Sequence, residues 1–193
     1  MTEANLNPTI DGYRGSIGRL VFKRYKGRTI VAKKAIVTAE PTAAQVAHRE
    51  HFKEAVAFGK MAQADSELRA FYEPIARERE LNIYTVAVTD FLTKPLIKPL
   101  DLSGYTGQVD DVILITATDD IGLARVHVKI SSSQGALIEH GDAVETGVGS
   151  GKWTYLATAP VTLGSDLSIE VTGVDHALNA SKITESLQVG EDL

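Results

Sequence analysis

The alternation of apolar and polar residues in the second half of the chain predicts a series of short β-strands. Val126, Val128 and Ile130 face one way while His127 and Lys129 face the other, because side chains alternate across a strand. Comparable runs separated by turn residues predict strands over residues 112–118, 124–131, 136–139, 153–158, 167–172 and 181–189. Short strands at this regular spacing are typical of an antiparallel β-sandwich.

A second pattern, near the N-terminus, predicts a β-hairpin. Two β-rich runs within residues 15–34 flank the turn residues Lys26 and Gly27. Alternation places Leu20 and Phe22 on one face and basic residues such as Lys23 on the other, so we expect one apolar and one basic face. A two-stranded hairpin is marginally stable in water, and its apolar face is therefore expected to pack on other residues.

The apolar residues of the segment that follows the hairpin are spaced as in helices. Thr42 and Gln45 form a capping-box pattern before a first helix, and Asp65 is placed to cap a second. Residues 82–92 predict a third helix, although their β-branched side chains also fit a strand. Pro95 and Pro99 then exclude a regular helix from the residues that precede the sandwich.

These patterns predict an α+β N-terminal module, built from a basic β-hairpin plus helices, followed by an all-β immunoglobulin-like sandwich. The expected segments are an N-terminal arm with the hairpin (1–40), a helical segment (41–94), a proline-containing linker (95–104) and the sandwich (105–193).

Composition removes several functional classes. The 193 residues include no cysteine, which excludes disulfides, thiolate metal sites and thiol nucleophiles. Serine, histidine and aspartate are scattered without a nucleophile-elbow pattern, so we expect no enzyme and no small-molecule substrate. No basic segment followed by an apolar run precedes residue 15, and no run is long enough for a bilayer span. Synthesis in the cytoplasm without a secretory signal is therefore expected, with a final location that could be a released particle or filament.

Charge is distributed very unevenly along the chain. Residues 13–60 contain 11 Lys and Arg against 3 Asp and Glu, a net charge of +8, whereas residues 106–193 carry 4 against 13, a net charge of −9. The overall charge of −5 conceals these opposed segments.

The basic hairpin has three interpretations. Its cations and interleaved aromatic residues could contact the phosphates and bases of a nucleic acid, could simply form a solvated face, or could dock on the acidic sandwich of a neighbouring subunit. We rank the subunit contact first, because both charges belong to one chain and a head-to-tail contact propagates. The candidate contact residues are Arg19, Leu20, Phe22, Lys23, Arg24, Tyr25, Lys26, Arg28, Lys33 and Lys34.

Oxygen-bearing side chains at two predicted strand ends form a candidate calcium site. Asp119 and Asp120 follow the first long strand, while Asp175 and Asn179 follow a later one, and both connections leave the same pole of a sandwich. Calcium takes six to eight oxygen ligands, which water and backbone carbonyls could complete. The alternative is that these residues cap turns without an ion.

Two further motifs favour ordinary structure. His48, His51 and Glu54 share one helix face and could hold a metal weakly, but exposed histidines on a charged helix are common. The glycine-rich residues 146–152 resemble a phosphate loop, yet Thr146 and Trp153 break the pattern and a strand follows instead of a helix. We interpret this segment as a turn.

The sandwich residues also resemble a known class of modules. The runs at 119–130, 153–158 and 167–179 are similar to bacterial immunoglobulin-like or cadherin-like modules, and the residues 15–18 with 22–27 are similar to the start of uncharacterised bacterial proteins. The first resemblance implies a spacer or an adhesive surface in a larger assembly.

The sequence therefore predicts a non-enzymatic structural subunit of a self-assembling filament or phage-like particle, with a second copy or another assembly protein as partner. The alternatives are a nucleic-acid-associated protein that binds through the hairpin, and a calcium-dependent adhesive module. No cofactor is expected other than calcium.

Overall fold

Four short strands of the first unit form an antiparallel sheet. The computed structural model describes residues 2–3, 13–25, 27–36 and 39–190, and the chain divides into two units, Met1–Val46 and Ala47–Leu193. The first unit holds β1 (Thr2–Glu3), β2 (Gly15–Ile17), β3 (Leu20–Tyr25) and β4 (Arg28–Lys33), in the order β1-β4-β3-β2. The predicted hairpin is confirmed as β3–β4, with Gly27 in the left-handed region at φ 80°. Lys26 lies outside the described residues.

The register of β3 and β4 decides which side chains share a face. Directly paired residues of antiparallel strands lie on the same face, and Phe22 pairs with Val31 while Lys23 pairs with Ile30. Arg24 and Lys33 lie on the face of Leu20 and Phe22, because they occupy positions of the same parity. The expectation of one apolar and one basic face is therefore wrong, since cations and apolar residues occupy both faces.

Three helices follow, α1 (Ala43–Ala64), α2 (Ser66–Glu78) and α3 (Ile83–Leu92). The capping box is confirmed by reciprocal hydrogen bonds, from Thr42 N to Gln45 Oε1 (3.1 Å) and from Gln45 N to Thr42 Oγ1 (3.3 Å). Asp65 Oδ1 accepts from two backbone N–H groups at the start of α2. Asn82 Oδ1 accepts from Thr85 N at 2.7 Å, and this cap starts a helix where β-branched residues also fitted a strand.

Small residues let the helices approach one another closely. The buried cluster of the helical segment consists of Ala62, Tyr72, Ala76, Val86 and Ala87. Gly59 of α1 contacts α3 so tightly that a Cβ atom there would lie 2.6 Å from Val88 Cγ2 and 2.9 Å from Tyr84 Cδ2. Gly59 is thus the point of close contact between these two helices.

The sandwich is confirmed as two four-stranded antiparallel sheets. Its strands are β5 (Leu96–Ile97), β6 (Val112–Thr118), β7 (Leu123–Ser132), β8 (Leu137–Asp142), β9 (Val144–Glu145), β10 (Lys152–Leu156), β11 (Asp166–Asp175) and β12 (Ala180–Gln188). The strand orders are β5-β6-β10-β9 and β12-β11-β7-β8, an immunoglobulin-like arrangement. The inward side chains of both sheets form one core, which includes Ile113, Ile115, Val126, Val128, Ile130, Trp153, Tyr155, Ile169 and Val171.

The predicted linker contributes to this sandwich. Within residues 95–104, Leu96 and Ile97 pair with Thr118 and Ala117, and Asp101 forms a bridge with Leu114. The segment therefore supplies an edge strand next to β6. In the described part of the chain, no helix has the length and apolar character needed to cross a membrane.

We expect Gly59→Val to destabilise the protein by about 1–3 kcal/mol, because the added side chain overlaps Val88 and Tyr84. Ala57→Val is the matched control, since Ala57 is exposed on the same helix. Its replacement costs only the lower helix propensity of a β-branched residue. Urea denaturation measures both free energies of unfolding. Equal losses in the two variants would contradict the close packing of α1 on α3.

Candidate cation site and docking surfaces

Three carboxyl groups from distant parts of the chain come together where α3 meets one pole of the sandwich. Asp90 lies in α3, Asp119 follows β6 and Asp175 ends β11, and each offers a ligand oxygen within 4.8 Å of the others. Asp90 and Asp175 are fully buried, and Asp119 is partly buried. We call these three residues the carboxylate cluster.

Turns at the ends of the strands hold two members of the cluster in place. Asp119 Oδ2 accepts from Ile121 N at 3.0 Å, which fixes the start of the β6–β7 connection. Asp175 Oδ1 accepts from Asn179 N at 2.7 Å across the β11–β12 turn. Both connections leave the same pole of the sandwich, as the strand topology predicts, so the two carboxyl groups are brought together by the fold.

Asp90 reaches the cluster from the helical side. Tyr72 donates its hydroxyl hydrogen bond to Asp90 Oδ2 at 2.5 Å, while the buried Asp90 Oδ1 has no hydrogen-bond partner. Asp119 Oδ1 is likewise buried without a partner. Burial raises the pKa of Asp90 to about 7, partly offset by the hydrogen bond from Tyr72, and the carboxyl group of Asp175 raises it further. Burial also raises the pKa of Asp175 and of the Tyr72 hydroxyl.

Asn179 supports the cluster by binding the end of α3. Its Nδ2 lies 2.9–3.2 Å from the carbonyl oxygens of Asp90, Phe91 and Thr93, and 2.8 Å from Asp175 Oδ2. The amide thus satisfies carbonyls that the last helical turn leaves without partners. Asn179 acts as a donor to the helix and to Asp175, and in this orientation its amide nitrogen, not its oxygen, faces them.

Asp120 also departs from the predicted calcium ligand set. Arg79, at the C-terminal cap of α2, donates to Asp120 Oδ2 at 2.7 Å and to the Asp120 carbonyl oxygen at 2.6 Å. Of the four predicted ligands, the structure therefore brings Asp119 and Asp175 together, and it replaces Asp120 and Asn179 with Asp90. Asp90 is the one charged residue of α3, and an isolated acid in an apolar helix is the signal by which it could have been found.

Further contacts join the helices to this pole. The rings of Phe71 and His176 stack with their centroids 3.8 Å apart, and Ile121 packs against the buried helical cluster. Burial lowers the pKa of His176. The carboxylate cluster is consequently enclosed by apolar and hydrogen-bonded contacts on its helical side.

The glycine-rich loop binds one of its own carboxylates. Glu145 accepts from Gly149 N at 3.2 Å and from Gly151 N at 3.0 Å, and β10 follows the loop. Amide groups that could have bound a phosphate are therefore already occupied. Its interpretation as a turn agrees with this geometry.

The candidate histidine site on α1 is not assembled. His51 Nδ1 lies 3.6 Å from Glu54 Oε2, and the His51 ring lies 5.5 Å from that of Phe91. His48 instead lines a shallow surface depression with Arg49, Phe52 and Lys53. Within the described ranges, the group of side chains placed to share a metal ion is the carboxylate cluster.

The sheet of the first unit leaves most of its described side chains exposed or only partly buried. Among the described residues of Met1–Val46, only Thr29 is buried. Ile17 and Leu20 remain 61% and 44% exposed on the face that they share with Phe22, against which the Tyr13 ring packs at 6.1 Å. Of the predicted contact residues, Arg19 lies in the β2–β3 turn, Leu20, Phe22, Lys23, Arg24 and Tyr25 in β3, Arg28 and Lys33 in β4, and Lys34 directly after β4.

The sandwich also presents an exposed apolar face. Leu114, Val144 and Leu156 point outward from β6, β9 and β10 and are 47%, 71% and 53% exposed. Thr154 pairs with both Leu114 and Val144, so these residues form one row across three strands. We call Leu114, Val144 and Leu156 the outer sandwich face.

The acidic residues of the sandwich are mostly engaged within it. Asp111, Glu139, Glu145 and Glu185 accept from backbone N–H groups, and Asp142 and Glu170 pair with His127 and Lys182. Much of the negative charge is thus engaged in contacts within the sandwich. This negative charge attracts cations at long range, although no specific ion pair with a partner is defined by it.

We expect replacement of Asn179 to weaken the attachment of α3. Asn179→Ala leaves buried carbonyl oxygens without donors and should cost about 1–3 kcal/mol. Asn179→Asp keeps the shape but places a carboxylate against these oxygens and against Asp175, so it should cost more. Urea denaturation in chelator, with the exposed Ser186→Ala as control, measures both. Wild-type stability of Asn179→Asp would contradict the donor role of the amide.

We also expect a pH-dependent difference between the wild type and Asp90→Asn in chelator. The folded-state pKa of about 7 lies above the ordinary 3.8, so the native protein binds the proton more tightly than the unfolded chain. The wild type therefore loses this contribution as pH rises from about 4 to about 7, at about 1.4 kcal/mol for each pKa unit. Asp90→Asn should gain stability relative to the wild type across that interval. A difference that stays constant with pH would contradict the burial of this carboxyl group.

Comparisons with known proteins do not assign the chain to a family. Neither a family model nor a curated protein matches the chain. Among solved structures, it is similar to the crystal structure of CopC from Methylosinus trichosporium OB3b, with 13% identity and a TM-score of 0.38. That match covers 51% of this chain and 98% of the CopC chain. A likeness of this size carries no argument about what this chain binds or does.

Proposed function

We propose that the chain is a non-enzymatic assembly subunit, in which the first-unit sheet of one copy packs on the sandwich of a neighbouring copy. The observation that carries the proposal is a four-stranded sheet with one buried residue among those described. A sheet of this size gains stability from burying a face, and exposed apolar faces mark interaction surfaces.

The outer sandwich face is the surface that fits this sheet best. Ile17, Leu20 and Phe22 share one face of the first unit, and the outer sandwich face presents three exposed aliphatic side chains on an antiparallel sheet. Two such sheets pack face to face at about 10 Å with their side chains in contact. The apolar contact supplies the cohesion.

Charge favours a second copy as the occupant. The basic segment carries +8 and the sandwich segment −9, so opposite potentials attract the sheet of one copy to the sandwich of the next. A contact between two different surfaces of identical chains is heterologous, and it forms rings or filaments. The filament or phage-like particle that we propose would be built from repeats of this contact.

Light scattering over a range of protein concentrations tests the proposal. Full-length protein should form particles larger than a monomer, and Leu20→Asp and Leu114→Asp should each shift it toward the monomer. Val148→Asp is the matched control, because Val148 is fully exposed in a loop outside the outer sandwich face. Lys23→Glu with Arg24→Glu should slow assembly in low salt, since the attraction is screened as salt rises.

The competing outcome is a nucleic-acid interaction of the basic segment. A labelled oligonucleotide that shifts with the wild type in low salt, while the protein alone stays monomeric, would favour that alternative. Monomeric full-length protein at high concentration in moderate salt, without any added partner, would show the assembly proposal to be wrong.

A further inference from the structure

We propose that the carboxylate cluster binds a calcium ion that joins α3 to the pole of the sandwich. The site is formed by Asp90, Asp119 and Asp175, with Tyr72 and Asn179 as positioning residues. It uses residues of the second unit alone and is independent of the assembly proposal.

The first support is the electrostatic state of the cluster. Three carboxyl groups converge where two of them are fully buried, and buried charges are normally paired or bound to a metal. Among the described residues, no Lys, Arg or His forms an ion pair with any of the three. Arg79 pairs with the neighbouring Asp120 instead. A bound divalent cation compensates this charge.

The second support is a pair of buried oxygens that lack donors. In the described part of the chain, Asp90 Oδ1 and Asp119 Oδ1 have no hydrogen-bond partner, although Asp90 is fully buried and its second oxygen accepts from Tyr72. Buried polar atoms are nearly always partnered, and each exception requires an explanation. A cation provides the partner, since both atoms are acceptors and belong to residues of the cluster.

The spacing of the oxygens fits calcium. Calcium–oxygen distances of about 2.3–2.6 Å allow two ligands of one ion to lie up to about 5 Å apart, and the ligand oxygens of the cluster lie within 4.8 Å of one another. Magnesium, at about 2.0–2.1 Å, holds its ligands closer together and in a stricter octahedron. Three carboxylates from two turns and a helix match the more irregular coordination of calcium.

One side of the site borders the protein surface. A surface cavity of about 250 Å³ opens at Asp119 and is also lined by Asp120, Glu145 and Trp153. Calcium needs six to eight ligands, and water from this cavity supplies those that the three carboxylates do not. The cavity also offers a route by which the ion enters and leaves.

The alternative is that one carboxyl group of the cluster is protonated, which reduces the negative charge without a metal ion. Such a proton can join two of the carboxyl groups in one hydrogen bond, and this arrangement predicts no response to calcium. Differential melting of full-length protein, stripped with chelator and desalted, separates the two arrangements.

We expect millimolar calcium chloride to raise the melting temperature of the wild type by several degrees, because a ligand that binds the native state stabilises it by mass action. Magnesium chloride at equal ionic strength should give a smaller rise. Asp119→Asn should lose the calcium-dependent rise while remaining folded by circular dichroism, since Asp119 is only partly buried.

Asp120→Asn is the matched control, because it makes the same change at the next residue and removes only the pair with Arg79. It should keep the full calcium-dependent rise. The proposal is overturned if the wild type melts identically in calcium and in chelator. It is also overturned if Asp119→Asn responds to calcium as the wild type does.

Discussion

The convergence of three carboxyl groups, two of them fully buried, at the junction between α3 and the sandwich is the constraint on which the second unit depends. Asp90 arrives from the helical side, while Asp119 and Asp175 arrive from two strand ends. Leaving three charges together in a buried site is costly, so the junction is stable only when their charge is compensated. The neighbouring contacts, from Tyr72 to Asp90 and from Asn179 to the last carbonyls of α3, fix the geometry in which compensation occurs.

This constraint gives the helices and the sandwich different roles. The sandwich core is apolar and continuous, so its two sheets need no ion and no partner to hold together. The helices have a smaller core of alanines and aromatic residues, and their attachment adds the Arg79–Asp120 pair and the Phe71–His176 stack. A cation at the cluster would therefore control how firmly the helical layer is held.

Much of the fold could be predicted from local sequence patterns. The rest depends on residues that are distant in sequence and close in the folded chain. Period-two alternation located the strands of the sandwich, and the caps at Thr42 and Asp65 located the starts of the first two helices, because both depend on neighbouring residues alone. Asp119 and Asp175 could be placed at one pole from strand topology. Asp90 could not, since its approach to them depends on how α3 packs. The prediction of one apolar and one basic face for the first sheet was also wrong, because the β3–β4 register places Ile30 beside Lys23 on the same face.

Terbium luminescence tests the central claim most directly, because terbium takes oxygen ligands as calcium does and its emission is excited by a nearby aromatic ring. Tyr72 donates its hydroxyl hydrogen bond to a cluster residue, so it is placed to excite a bound ion. The account predicts emission that follows tyrosine excitation, saturates with terbium, declines as calcium is added, and is lost in Asp119→Asn but kept in Asp120→Asn. Emission that is absent from the wild type, or equally strong in Asp119→Asn, would contradict it.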